Sequence, residues 1–309
     1  MHLVGTIFPI FAIVLTGWIA GATGYVPRAL GASLTRFAYY VAMPALVFLT
    51  IGDETLHSLL DWRFLAAFGG GSLICFAIVM AIARLRRGTN LGTSAMLAAA
   101  ASMTNTAFVA LPILKALYGK PGVLAAAVAT VFIGALMFPM LVILLEINRF
   151  DISRKLRIAP LMRQIATNPV ILATIFGLAW SFSGLGMAKP LASFLTILGD
   201  ALTPCALFAI GLELTLSEVR ERLSFYALLT AVKLVVVPVV VYGLCLVSGL
   251  DRTATVAAVI CAAVPTAKSA YILAVEYDVE KVMVGAVISM STLFSIVTLL
   301  AWLYLIHGG

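Results

Sequence analysis

Charge is what this sequence has least of. Its 20 Lys and Arg and 13 Asp and Glu make up 11% of 309 residues, where an ordinary soluble domain carries roughly 25%. So few charges cannot cover a surface in water, which excludes a soluble globule. Histidine is nearly absent: His2 and His307 sit at the ends and His57 between apolar runs, so zinc, haem and HExxH chemistry have no ligands. The four cysteines, Cys75, Cys205, Cys245 and Cys261, each lie inside an apolar run without a CxxC pair and read as small core residues. No glycine-rich stretch ends in Gly-Lys-Ser/Thr. Gly70-Gly71 sits in an apolar run, where glycine serves close helix packing rather than phosphate binding. No metal, no cofactor and no ATP-driven chemistry is expected.

What the chain has in abundance is apolar sequence, at 63% of residues and a mean hydropathy of +1.13. The solvent must be lipid over most of the length. Windows of about 19 residues predict spans near 3–21, 33–51, 64–83, 93–117, 121–146, 165–184, 190–212, 224–248, 253–275 and 282–306. The first is a span rather than a signal peptide, because no Lys or Arg precedes it. Charge alternates between the spans: Arg28 and Arg36, then Asp53, Glu54 and Asp61, then Arg84, Arg86 and Arg87, and later Arg149, Arg154, Lys155, Arg157 and Arg163. With Arg220, Arg222 and Lys281 on the same side, the positive-inside rule puts the basic loops in the cytoplasm and both termini on the opposite side of the membrane. The pI near 9.4 is then a property of loops, and nucleic acid is not an expected partner.

A shift of 160 positions lays Pro9 on Pro169, Gly17 on Gly177, Pro44 on Pro204, Leu46 on Ala206 and Phe48 on Phe208. Helix-perturbing residues recurring in register point to a duplicated unit. The expected fold is therefore an all-α integral membrane protein of ten transmembrane helices in two inverted five-helix repeats, residues 1–146 and 165–309, joined by a cytoplasmic linker over 147–164. An odd number of spans per repeat turns the second copy over. The same shift lays Asn105-Thr106-Ala107 on Pro265-Thr266-Ala267 in the fourth and ninth spans. Proline removes a donor, and Ser, Thr and Asn compete for backbone groups, so both spans are expected to break into half-helices. Paired broken helices point to a substrate site near the midplane.

Lys268 is the sharpest polar signal, since a cation within a span is retained for a partner or a function. It either attracts a substrate carboxylate or pairs structurally with an acid such as Asp200, itself a candidate proton or charge partner. Asn105, Thr106, Thr266 and Ser269 join Lys268 as candidate substrate contacts, or satisfy the broken backbone. Pro112 and Pro265 are expected to shape the site. Lys115 and Lys233 are expected to snorkel from span ends. The implied partners are a small organic anion, the lipid bilayer and protons, with a homodimer as an assembly the class permits.

The segments NPVILATIFG at 168–177, MPALVF at 43–48, TNTAFVALPIL at 104–114, TPCALFAIGLEL at 203–214 and PTAKSAYILAVEYDVE at 265–280 resemble the auxin efflux carrier family of bacterial transporters. The resemblance covers nearly the whole chain. It implies a scaffold and a transport domain, each drawn from both repeats, and a crossing of the broken fourth and ninth helices at which Asn105, Pro112 and Pro265 match. It also implies secondary transport of a mono- or dicarboxylate such as malonate, with an auxin-like weak-acid efflux carrier or a non-transporting sensor on the same fold as rivals. An intramembrane aspartyl protease fits badly, since Gly199-Asp200 and Tyr277-Asp278 come in the wrong order and residue 197 is Ile.

Overall fold

The computed structural model describes residues 2–52, 62–86, 88–148, 163, 166–213 and 222–307. Met1, Asp53, Glu54, His57, Asp61, Arg87, Arg149, Arg154, Lys155, Arg157 and Arg220 lie outside the described residues, as does most of the stretch expected to link the halves. Among the described residues the fold is all helix apart from loops and one isolated bridge. In chain order the helices are α1 (His2–Ala22), α2 (Leu30–Gly52), α3 (Trp62–Leu85), α4 (Leu91–Ser102), α5 (Thr106–Tyr118), α6 (Lys120–Asn148), α7 (Pro169–Ser183), α8 (Lys189–Glu213), α9 (Leu223–Ser248), α10 (Arg252–Ala263), α11 (Lys268–Glu276) and α12 (Lys281–His307). Among the described residues six of these, α2, α3, α6, α8, α9 and α12, are long and apolar enough to cross a membrane. At 12 residues each, α4 and α10 reach only about 18 Å, short of a hydrocarbon core of about 30 Å.

Local chemistry sets the helix ends. Asn90 begins α4 and Asp251 begins α10, each accepting a backbone N–H three residues on, from Thr93 and Ala254, at 2.8 Å. Asn168 caps α7 the same way, accepting from Val170 and Ile171 at 2.9 and 3.2 Å, with Pro169 in the first turn where its missing N–H is not needed. Gly184 closes α7 at φ +65°, a conformation open to glycine.

Four of the wide π-type turns among the described residues precede a proline. Pro44 follows one at Ala38–Ala42, Pro112 one at Thr106–Ala110, Pro139 one at Ile133–Met137 and Pro238 one at Val232–Val236. A proline ring presses on the carbonyl one turn back and brings no N–H; an extra residue in that turn moves the carbonyl aside.

The chain forms two compact units. The first comprises Met1–Trp62, Thr106–Thr130 and Ala166–Leu214. Within it α1 lies backbone to backbone against the second part of α8: a Cβ on Gly17 would strike the Phe208 carbonyl, and one on Gly211 would strike the Val14 carbonyl. A Cβ on Gly177 in α7 would sit 3.0 Å from Ile51 Cβ and 3.4 Å from the Phe48 carbonyl. The residues that the shift of 160 aligned therefore meet crosswise, Gly17 with Phe208 and Gly177 with Phe48. The Lys115 ammonium and the Asp200 carboxylate are 2.7 Å apart in this unit.

The second unit comprises Arg63–Asn105, Val131–Ile165 and Thr215–Gly309. Here α3 packs on α4, α9 on α10, and α12 on both α9 and α10. Residues 94–102 of α4 and 255–263 of α10 are all buried. Their alanine-rich sequences let neighbouring backbones approach closely.

Candidate functional site

The stretch between α4 and α5 and the stretch between α10 and α11 meet. The Asn105 N–H donates to the Pro265 carbonyl at 2.9 Å, and the Ala267 N–H to the Met103 carbonyl at 3.0 Å, around an antiparallel bridge of Thr104 with Thr266. A helix that stops leaves carbonyls without intrahelical donors, and here several of them are served by the residues of the breaks. At the end of α4, the Ala99 carbonyl accepts from the Met103 N–H at 2.9 Å and the Ala100 carbonyl from the Thr266 hydroxyl at 2.7 Å. At the end of α10, the Ile260 carbonyl accepts from the Val264 N–H at 3.2 Å. The Thr266 N–H donates to Ser291 Oγ on α12 at 3.2 Å.

The two bridge bonds exchange when Met103 is matched with Pro265, Thr104 with Thr266 and Asn105 with Ala267. That register is two residues longer than the sequence shift, which had laid Asn105 on Pro265. In it, the image of the Thr266 hydroxyl on Ala100 is the Thr104 hydroxyl on Ala262. That bond is not formed. The Ala262 carbonyl instead accepts from Lys233 Nζ at 2.6 Å, and so does the Val264 carbonyl, also at 2.6 Å. The Thr104 hydroxyl is buried with no partner among the described residues.

Lys233 corrects the sequence reading. It does not snorkel from a span end; it is 0% exposed, in the wide turn Val232–Val236 of α9. Among the described residues no carboxylate lies within ion-pair distance of it. Burying an ammonium costs several kcal/mol. Two short charge-assisted bonds to carbonyls at the negative end of α10 offset that cost. Hydropathy could not reveal the contact, because it depends on where α9 passes α10.

Asn105 is buried and holds Pro265 through its backbone N–H. Thr266 is 0% exposed and its hydroxyl proton is committed to Ala100, so its donor serves the fold rather than a substrate. Lys268 and Ser269, both half-buried, open α11. Thr106, Pro112 and Asp200 belong to the first unit. There the Thr106 and Thr130 hydroxyls lie 2.9 Å apart, Pro112 follows the wide turn that opens α5, and Asp200 pairs with Lys115. Lys115, expected to snorkel, is thus an ion-pair partner. Thr104, Lys233 and Ser291 are polar residues at the breaks that sequence reasoning did not place there; for the first two, the TNT run and a lysine within an apolar run were the available signals. Among the described residues no cluster of His, Cys, Asp or Glu is placed to hold a metal.

An apolar all-helical chain whose interrupted helices pair within the protein is a polytopic membrane protein, since unpaired backbone is not tolerated against lipid. Residues 2–303 match the family described as "Membrane transport protein", and the chain belongs to that family, the auxin efflux carrier family that its motifs resemble. It is 26% identical over 310 residues to the "Putative malonate transporter" of Rhizobium meliloti, covering 100% of this chain and 97% of that protein. It is 27% identical over 309 residues to an "Uncharacterized transporter" of Methanothermobacter thermautotrophicus, covering 96% of each. Family and relatives place it among transporters rather than enzymes.

Proposed function

We propose that the protein is a secondary active transporter of a small organic anion, a mono- or dicarboxylate of the malonate class, working by alternating access. The observation that carries this reading is the pair of joined helix breaks holding a buried ammonium, with no Asp or Glu buried among the described residues. Irregular backbone within a membrane protein is retained where it forms a binding site. A buried ammonium with no carboxylate within ion-pair distance among the described residues favours an anion over a cation. The malonate name of one relative supports the cargo class.

In this reading the ten predicted spans form two inverted repeats, 1–146 and 165–309. The crosswise contacts of Gly17 with Phe208 and Gly177 with Phe48 support the inversion, as do the exchanging bonds at the breaks. The two compact units, each drawn from both halves of the sequence, serve as scaffold and transport domains. The substrate meets the Thr104 hydroxyl, Asn105, Lys268 and Ser269. Basic residues flanking the spans, Arg84, Arg86, Arg222 and Lys281 among them, favour the cytoplasmic side, with both termini periplasmic in a bacterial inner membrane.

Uptake of labelled malonate and related carboxylates into proteoliposomes, under imposed proton and sodium gradients, tests the reading. Saturable uptake by the wild type is expected, with Lys268→Ala weakening apparent affinity about tenfold, equivalent to about 1.4 kcal/mol. Uptake unaltered in Lys268→Ala would remove Lys268 from the site. No saturable uptake of any carboxylate would sink the anion reading and favour another cargo, or a sensor.

A further inference from the structure

The Lys233 contacts have the form of a cation site. Two backbone carbonyls, Ala262 and Val264, converge at the C-terminal end of an interrupted helix. Carbonyls freed at such helix ends are what transporters use to coordinate a monovalent cation. Here the charge at that point comes from the chain itself, fully buried and held from the wide turn of α9. The position is also where the two breaks differ: the Thr266 hydroxyl covers its carbonyl, while Lys233 has taken the place of the Thr104 hydroxyl. A hydroxyl on one side and an ammonium on the other means that the second break is built to hold a charge, since a hydroxyl serves the backbone equally well at the first.

We propose that the Ala262 and Val264 carbonyls form a monovalent-cation site filled by the Lys233 ammonium. The protein therefore needs no sodium or other free cation to complete the crossing. The tethered ammonium does what a bound ion would do: it neutralises the negative end of α10, fixes the second break and frees the Thr104 hydroxyl. Lys233 is a positioning residue in this account. The proposal concerns how the crossing is held and stands apart from the choice of cargo. Its test reads folding, so the outcome of the malonate-uptake experiment counts neither for it nor against it.

The experiment is the thermal unfolding midpoint of the full-length protein in detergent, in choline, sodium, potassium and methylammonium chlorides at equal ionic strength. Wild type, Lys233→Ala and Lys233→Gln are compared. The wild type is expected to melt at one temperature in all four salts. Lys233→Ala, with its side chain removed from the carbonyls, is expected to melt lower in choline and to recover with saturable dependence on a small cation, by about 5 °C at saturation. Lys233→Gln keeps two N–H donors without the charge and is expected to share the loss in choline. A sodium-specific rise in the wild type would overturn the proposal. So would a folded Lys233→Ala indifferent to every cation, or a Lys233→Gln matching the wild type in choline, which would make the role one of hydrogen bonding alone. If Lys233→Ala is recovered folded only from preparations made in a small cation, the proposal stands; failure of both variants in every salt counts against it.

Discussion

Thr104 and Thr266 face each other across one bridge, yet the structure assigns their hydroxyls opposite energetic roles. Replacing each in turn by valine, which keeps the shape and removes only the hydroxyl, separates them. Thr266→Val deletes a buried 2.7 Å hydrogen bond to the Ala100 carbonyl. A buried acceptor that loses its donor costs about 1–3 kcal/mol in soluble proteins, and measured side-chain hydrogen bonds in membrane proteins average about 0.6 and reach about 1.7 kcal/mol. The carbonyl sits inside protein, so a loss of about 1–2 kcal/mol is expected. Thr104→Val deletes a hydroxyl that is buried and has no partner among the described residues. No bond is lost and the cost of burying the group is relieved, so the change is expected to lie between zero and about 1 kcal/mol of stabilisation.

The assay is reversible unfolding of the purified variants in mixed micelles, or their melting temperatures. At roughly 2 °C or more per kcal/mol, the two valine variants should differ by several degrees, Thr104→Val being the more stable. Transport should run the other way: if the Thr104 hydroxyl meets the substrate, Thr104→Val raises the apparent KM for malonate while the protein stays folded. Thr104→Val as destabilising as Thr266→Val would refute the assignment of the Ala262 carbonyl to Lys233.

Gly211→Ala is expected to cost about 2–3 kcal/mol by melting, because the new methyl meets the Val14 carbonyl, with Trp18 N at 2.8 Å and Gly17 Cα at 3.0 Å, all main chain that can yield only by moving α1. Gly243→Ala in α9 meets nothing within 4 Å and is expected to raise stability by roughly 0.5–1 kcal/mol through helix propensity, which makes it the control. Ser291→Ala removes the acceptor of the buried Thr266 N–H and is expected to lower the melting midpoint by an amount equivalent to about 1 kcal/mol. For Lys115 and Asp200, 2.7 Å apart with side chains 26% and 63% exposed, the coupling in the cycle of Lys115→Met, Asp200→Asn and the double variant is expected to be about 1 kcal/mol or less; a double variant that is the sum of the singles would show that the pair is not coupled.

How far the sequence could be read depended on which contacts each signal encodes. Apolar length is local, so the long helices were legible from hydropathy. The shift of 160 was legible in α1, α2, α7 and α8 because close packing favours glycine at both places: Gly17 must clear the Phe208 main chain, and Gly177 lies tight against the Ile51 side chain beside Phe48. At the breaks the polar cluster and Pro265 gave the place but not the register, since the offset has already grown by the caps of α4 and α10, Asn90 and Asp251, and a constant shift cannot follow it. Thr266 looked the same as Thr104 in sequence, because a threonine beside a break is favourable whether its hydroxyl caps a carbonyl or waits for a ligand. Lys233 was the least legible. A lysine within an apolar run carries the same hydropathy cost whether it escapes to the interface or is held inside, and the difference lies in α10, whose carbonyls are invisible to any side-chain pattern. The residue that most distinguishes one break from the other is therefore recognised only when the backbone it serves is in view.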